Sequence, residues 1–297
     1  MADDVTLFAR KLREYRAVNG QHGRMTQEGL AELLGVSVDA IGKYERSVSF
    51  IRGDLEHRLL ERLGWTREEV LACREDWDIL HQKRPGSGYS VLDDAMVDEH
   101  FDGSWRDACR ASIVFADVEL PDLPPELAAN EKVFLPIYET YRDCWAAIMF
   151  EGQIVAKWSL PFLLPEDVAL FRSGQLLESQ LSVERIHQPI LPGKYYGYCP
   201  VLAVRSGHEA SSSLLLTTFV NYLEKLAERN IVLSGLGTVT VSPGGAQICK
   251  ELGLNHIGDH CLNPAFGIWE LTGAAVPNSI FGRRSLLVRN CYTAAFR

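Results

Sequence analysis

Through roughly its first eighty residues the chain shows only helical periodicity. After the breaker-rich stretch Lys83-Arg84-Pro85-Gly86-Ser87-Gly88, strand-like runs begin to alternate with helical ones. Neither one helical bundle nor one sheet-based core accounts for both patterns. The expectation is a helical domain over 1–80, a linker over 81–88 and a mixed domain over 89–297. A length of 297 residues agrees, since single hydrophobic cores commonly stop growing near ~250 residues.

Composition narrows the class. With 46% apolar and 23% charged residues the chain is too apolar to stay unfolded. Its longest uncharged stretch, Asn230 to Cys249, holds Gly235, Gly237, Pro243, Gly244 and Gly245, and reads as strand and turn rather than as a membrane span. Asp3 and Asp4 precede any apolar run, so no leader is expected and the location expected is the cytoplasm. Seven cysteines without a C-x-x-C pair predict free thiols. The net charge of −9 is uneven. Residues 1–75 carry 12 basic against 13 acidic side chains, and residues 76–297 carry 18 against 26, so the acidity belongs to the second part.

In the first part, Leu7, Leu12 and Tyr15 give Val5–Val18 an apolar helical face. Thr26 is a cap candidate for a helix that Gly35 ends, and Ser37 for a third helix through Glu45. Further helices are expected around Gly53–Leu63 and Thr66–Cys73. The order Thr26-Gln27, Leu30-Ala31, Gly35-Val36-Ser37 and Ile41…Glu45 resembles the XRE family of phage-repressor-like helix-turn-helix domains. Two departures are Gln21–Arg24, which lengthens the first turn, and Ser47, where glycine often follows the glutamate. The resemblance implies base contacts from Val38, Asp39 and Lys43, and phosphate contacts from Gln27, Ser37 and Arg46. It also implies a structural ion pair between Arg16 and Glu45.

In the second part, strands are expected at Ser112–Phe115, Trp145–Phe150, Ile154–Leu160, Tyr195–Val204, Val239–Ser242 and Gly267–Leu271, with helices near Pro165–Leu177, Ser212–Glu228 and Ala246–Leu252. The passage Lys250-Glu251-Leu252-Gly253-Leu254 followed by Ile257-Gly258-Asp259 is similar to the end of GNAT acyltransferases. That resemblance implies an acyl-CoA loop at Val204, Arg205, Ser206, Gly207, His208 and Ala210, before a long helix whose first N–H groups suit phosphate. His208 replaces the usual glycine, Glu209 adds negative charge, and Cys249 stands where the family frequently places a tyrosine as general acid. These departures point away from acetyl transfer.

Other constellations carry less. His256, His260, Cys261 and Cys249 have poor zinc spacing, so no metal is expected. Ser211-Ser212-Ser213 reads as a helix start, and Gly235-Leu236-Gly237 as a bend in an extended run rather than a nucleotide loop. Trp145, Trp158, Tyr195, Tyr196, Tyr198 and Trp269 read as core residues.

The fold class expected is α+β multidomain: an all-α helix-turn-helix bundle followed by an α/β, GNAT-like mixed-sheet domain. The function expected is a transcriptional regulator, dimeric on an inverted-repeat double-stranded DNA operator, whose acidic domain dimerises or senses a small-molecule effector. Two alternatives stand beside it. One is an active acyl-CoA-dependent N-acyltransferase with a DNA-binding head, in which Cys249 is the only catalytic candidate. The other is an antitoxin or scaffold-type interaction protein. No cofactor is certain at this point, acyl-CoA being the candidate, and no membrane partner is expected.

Overall fold

The computed structural model describes residues 5–20, 23–51, 55–81, 88–121, 123–128, 130–188 and 191–297. Most of the linker expected at 81–88 lies outside them. The chain divides into two compact units: Met1–Tyr89 with Ser206–Ser213, and Ser90–Arg205 with Leu214–Arg297. The architecture is mixed α/β, with a helical first unit and two sheets.

The first unit holds α1 (Leu7–Val18), α2 (Gln27–Leu34), α3 (Val38–Glu45), α4 (His57–Leu63) and α5 (Arg67–His81). Hydroxyl caps start the first three helices: Thr6 accepts from Ala9 N, Thr26 from Gly29 N and Ser37 from Ala40 N. Gly35 ends α2 at φ +63°, where a side chain would be strained, and Arg58 donates to the carbonyls of Leu34 (2.8 Å) and Gly35 (2.9 Å). Phe8, Leu12, Leu30, Leu34, Ile41 and Leu59 form the centre of its core, all fully buried. Ser47 also adopts a left-handed conformation, φ +58°. That explains the glycine usual at this position, and here the serine hydroxyl compensates by accepting from Thr6 N at 2.9 Å.

The second unit takes up β1 (Tyr89–Val91) from Ser90 onward and continues with α6 (Asp94–His100), α7 (Trp105–Glu119) and α8 (Glu131–Thr140). The stretch Ser112–Phe115, expected as a strand, is the middle of α7. Burial of Ala108, Cys109, Ser112, Ile113 and Ala116 recurs at helical spacing, and the β-branched pair Ile113-Val114 misleads. Next come β2 (Trp145–Phe150) and β3 (Gln153–Ser159), joined by Glu151 and Gly152 at φ +48° and +77°. Two successive positive φ values make the tight hairpin turn that matches strand twist.

Beyond the hairpin lie β4 (Phe162–Leu163), α9 (Pro165–Arg172), β5 (Gly193–Tyr198), β6 (Leu202–Val204) and α10 (Ser212–Glu228). They are followed by β7 (Ile231–Thr240), α11 (Pro243–Leu252), β8 (Asn255–His260), β9 (Asn263–Thr272), α12 (Ile280–Arg284) and α13 (Leu286–Ala295). The uncharged stretch from Asn230 is thus a strand and then a helix, not strand and turn alone. No helix among the described residues is long and apolar enough to cross a membrane.

The sheets have orders β1-β2-β3-β6 and β4-β5-β7-β9-β8. The single strand expected over Tyr195–Val204 is therefore two, one in each sheet. Its first half lies parallel to β7 and its second half antiparallel to β3. Gly235 and Gly237 sit in the middle of β7 rather than at a bend. A methyl group on either would collide with aromatic neighbours, Tyr196 at Gly235 and both Phe171 and Tyr196 at Gly237.

Candidate functional site

In the first unit, four of the residues expected to face DNA, Gln27, Ser37, Asp39 and Lys43, have local partners. Lys43 Nζ lies 2.7 Å from Asp39 on the same helix face. Gln27 turns inward, its amide donating to Glu45 Oε2 at 2.7 Å. The Ser37 hydroxyl is used by its helix cap. Val38 is exposed, and Arg46 is exposed at the end of α3, its guanidinium beside Gly42. Arg16 and Glu45 form a buried two-point pair at 2.6 and 2.9 Å, and Arg16 also donates to Met25 O at 2.7 Å. Burial opposes ionisation of Glu45, but the hydrogen bonds from Arg16 and Gln27 outweigh it and hold the carboxyl below its ordinary value. Gln27→Ala should therefore destabilise the unit by about 1.5 kcal/mol, the worth of a hydrogen bond to a charge. A denaturation midpoint equal to wild type would contradict the assignment.

The stretch expected as an acyl-CoA loop divides between the units. Val204 ends β6, and Arg205 donates to Glu119 Oε1 at 2.9 Å and to Gln153 Oε1 at 3.1 Å. Ser206–Ser213 belong to the first unit. There Gly207 takes the left-handed conformation at φ +86°, one residue before the position the family pattern assigns to glycine. Its N–H donates to Glu209 Oε1 at 2.9 Å, so the chain's own carboxylate occupies that donor. His208 Nδ1 lies 3.1 Å from the Tyr89 hydroxyl, and Ala210 sits in a short turn that leads into α10.

The sheet architecture of the second unit supplies a feature that motif reading missed. β5 and β7 stay paired as far as Tyr198 and Gly237, and Cys199 N donates to Gly237 O at 2.8 Å. Beyond this point the strands part. β6 is the edge of its sheet, and β7 continues to Thr240 bound only to β9. Val201 O and Arg205 N bond to Ser159 N and Val155 O of β3. Alternation along the strand therefore turns the backbone groups of Leu202 and Val204 toward the open edge. Because Gly237 O faces β5, the same alternation points Val239 N–H toward the gap. Thr238 Oγ1 donates to Cys199 O at 2.8 Å and closes the apex. The result is a wedge with backbone donors and acceptors on both sides.

Two buried ionisable groups lie near this region and were not singled out by sequence. Lys157 is fully buried on β3, where Nζ donates to Ser112 O (3.1 Å) and Oγ (3.0 Å) and lies over the rings of Tyr138 and Trp145. Burial depresses its ammonium to about 7. Its signal in the sequence was a lysine inside the apolar run Ile154–Leu160. Glu178 is buried after α9 and accepts from the Tyr198 hydroxyl at 2.6 Å; burial raises its carboxyl to about 8. No periodicity marks Glu178, which opens a single 3-10 turn, Glu178–Gln180.

Cys249, the candidate proton donor, is buried in α11, and burial pushes its thiol up to about 12. It is corrected to a core residue. His260 is buried as well, with Nε2 2.9 Å from Leu176 O, while His256 pairs with Asp259 at 3.1 Å. Among the described residues no group of three His, Cys, Asp or Glu side chains is placed to hold a metal. All seven cysteines are free, and Cys261 is the exposed one among them.

No protein-family model matches the chain, and no curated protein does. Among solved structures, the chain is similar to Ard1 from Thermoplasma volcanium, with 6% identity, 62% of this chain and 97% of that chain covered, and a TM-score of 0.35. It is also similar to the AHL synthase LasI, with 18% identity, 42% of this chain covered and a TM-score of 0.27; the match spans 61% of LasI. Neither of these two is a DNA-binding regulator, and the expectation of a DNA-binding transcriptional regulator is corrected accordingly.

Proposed function

We propose that the second unit is an acyl-CoA-dependent N-acyltransferase module whose wedge between β6 and β7 takes the acyl-bearing arm of the donor. The observation that carries this is the parting of the strands after Cys199 and Gly237, which leaves backbone groups of Leu202, Val204 and Val239 unpaired by any strand. The pantetheine arm of CoA is an extended chain with two amides, and it finds complementary donors and acceptors at such edges, as an added strand does. In the transfer, an amine attacks the thioester carbonyl, the N–C bond forms and the C–S bond breaks. The proton lost by the amine is balanced by the proton gained by the CoA sulfur. A backbone N–H at the open edge is the class of group that stabilises the transient oxyanion.

Arg205, which follows β6 directly, is the cation for the negatively charged end of the donor, and its engagement by Glu119 lowers its availability. Titration calorimetry of the whole protein with acetyl-CoA and longer acyl-CoAs should show saturable binding. Glu119→Gln should tighten it about fivefold and Arg205→Ala should weaken it, as expected for one charge-assisted contact. Turnover is followed by chromatographic release of CoA in the presence of an amine mixture. The absence of acyl-CoA binding at millimolar concentration would end this reading.

A further inference from the structure

The second unit holds a pocket of about 390 Å³ that is separate from the wedge. It opens between the end of α8, the start of β4 and the last two turns of α10. Its α10 residues, Tyr222, Lys225 and Leu226, lie ten to fourteen positions after the start of that helix, and Arg229 follows its end. At 1.5 Å per residue, this is about 15–21 Å along the axis. Cys144, Phe162, Ile186 and Leu226 make an apolar floor, all of them buried.

Three polar groups stand over this floor. Tyr222 is only 8% exposed, and its ring packs beside Trp158. Its hydroxyl has no hydrogen-bond partner among the described residues and is not sealed in the interior. A phenol hydroxyl at a pocket wall takes its hydrogen bond from water or from a bound group. Lys225 and Arg142 are exposed at the rim, with no carboxylate partner among the described residues; Arg142 lies over the Trp105 ring. Two carboxylates share the rim. Glu139 is held on both oxygens by Arg106, at 2.9 and 3.0 Å, and Asp143 is the second carboxylate of the lining.

We infer that this pocket is a second small-molecule site, for a carboxylate with a compact apolar body. The apolar part lies on the floor, while the carboxylate accepts from the Tyr222 hydroxyl and is paired by Lys225 and Arg142. A volume of this size and a few convergent donors over an apolar surface are the ordinary anatomy of a ligand site. Because the pocket shares no residue with the wedge, the inference does not depend on acyl-CoA chemistry.

The test is calorimetry on the whole protein with octanoate and benzoate as probes, at constant ionic strength, with octanol and acetate as controls. At least one of the two probes should bind saturably, and both controls should bind at least tenfold more weakly. Tyr222→Phe and Lys225→Gln should each weaken the probe fivefold or more while leaving acetyl-CoA binding and the melting temperature unchanged. Arg205→Ala should leave the probe unaffected. Failure of both probes to bind at 10 mM, to an order of magnitude the limit of a specific weak site, would overturn the inference. So would binding that is indifferent to both pocket substitutions, or equal binding of octanol.

Discussion

Lys157→Met is expected to raise the stability of the second unit by about 3 kcal/mol at pH 7, a large gain for one substitution. The lysine is fully buried among neutral partners and has a folded value of about 7 against its ordinary 10.5. Keeping it in the interior at pH 7 therefore costs about 4 kcal/mol by linkage. Loss of its two hydrogen bonds to Ser112 offsets about 1 kcal/mol of the gain.

The pH dependence separates this effect from simple repacking. The cost of Lys157 is complete below about 7 and disappears as the pH rises toward 10.5, so it makes stability rise with pH there. Glu178 acts in the opposite direction. Its cost is absent below 4.5 and grows as the pH rises to about 8, because the unfolded chain ionises first. The two together place a flat-floored stability minimum between about pH 7 and 8, with each limb worth about 4 kcal/mol. Lys157→Met should remove the alkaline rise, and Glu178→Gln should remove the loss between pH 4.5 and 8. Urea unfolding of the three proteins from pH 4 to 10 measures both limbs. Parallel curves for all three would refute the account.

Gly237→Val should be the most damaging of the substitutions considered, with a loss above about 4 kcal/mol. Gly237 lies at the centre of β7 with β5 on one side and β9 on the other, and the added carbons would enter space held by Phe171 and the Tyr196 hydroxyl. For a unit of this size the melting temperature should fall by on the order of 10 °C. Gly244→Ala is the control. It lies in the first turn of α11 with no atom near the new methyl group, and alanine suits a helix better than glycine. Its melting temperature should be equal to or slightly above that of wild type. If both substitutions cost the same, packing of Phe171 and Tyr196 against a bare backbone is not what fixes glycine at 237.

The elements with short-range signals were legible in the sequence. Thr26, Gly35 and Ser37 mark helix ends through their own hydroxyls and conformational freedom, and Ser212–Glu228 is helical over the span its apolar spacing indicates. The strands expected at Trp145–Phe150 and Ile154–Leu160, which flank the Glu151-Gly152 turn, belong to the same class. Ser112–Phe115 failed because four residues of β-forming composition do not reveal the burial period around them, which is helical. The division of 193–204 between two sheets has no local cause: it depends on which strand pairs with each half, and those partners are 153–159 and 231–237. The same holds for the candidate site. Arg205 and Gly207 stood out by pattern, but the wedge is made of backbone edges, and the Tyr222 pocket draws on segments more than eighty residues apart.

The unequal exposure of the seven thiols has a practical consequence. Five of them are buried, Cys291 is partly so, and Cys261 lies open at the turn between β8 and β9. Alkylating reagents attack the thiolate, so a thiol's access and ease of deprotonation set its rate. Brief treatment of the unaltered chain with a maleimide dye should mark one position first, giving a reporter on the sheet edge without engineering a cysteine-free background.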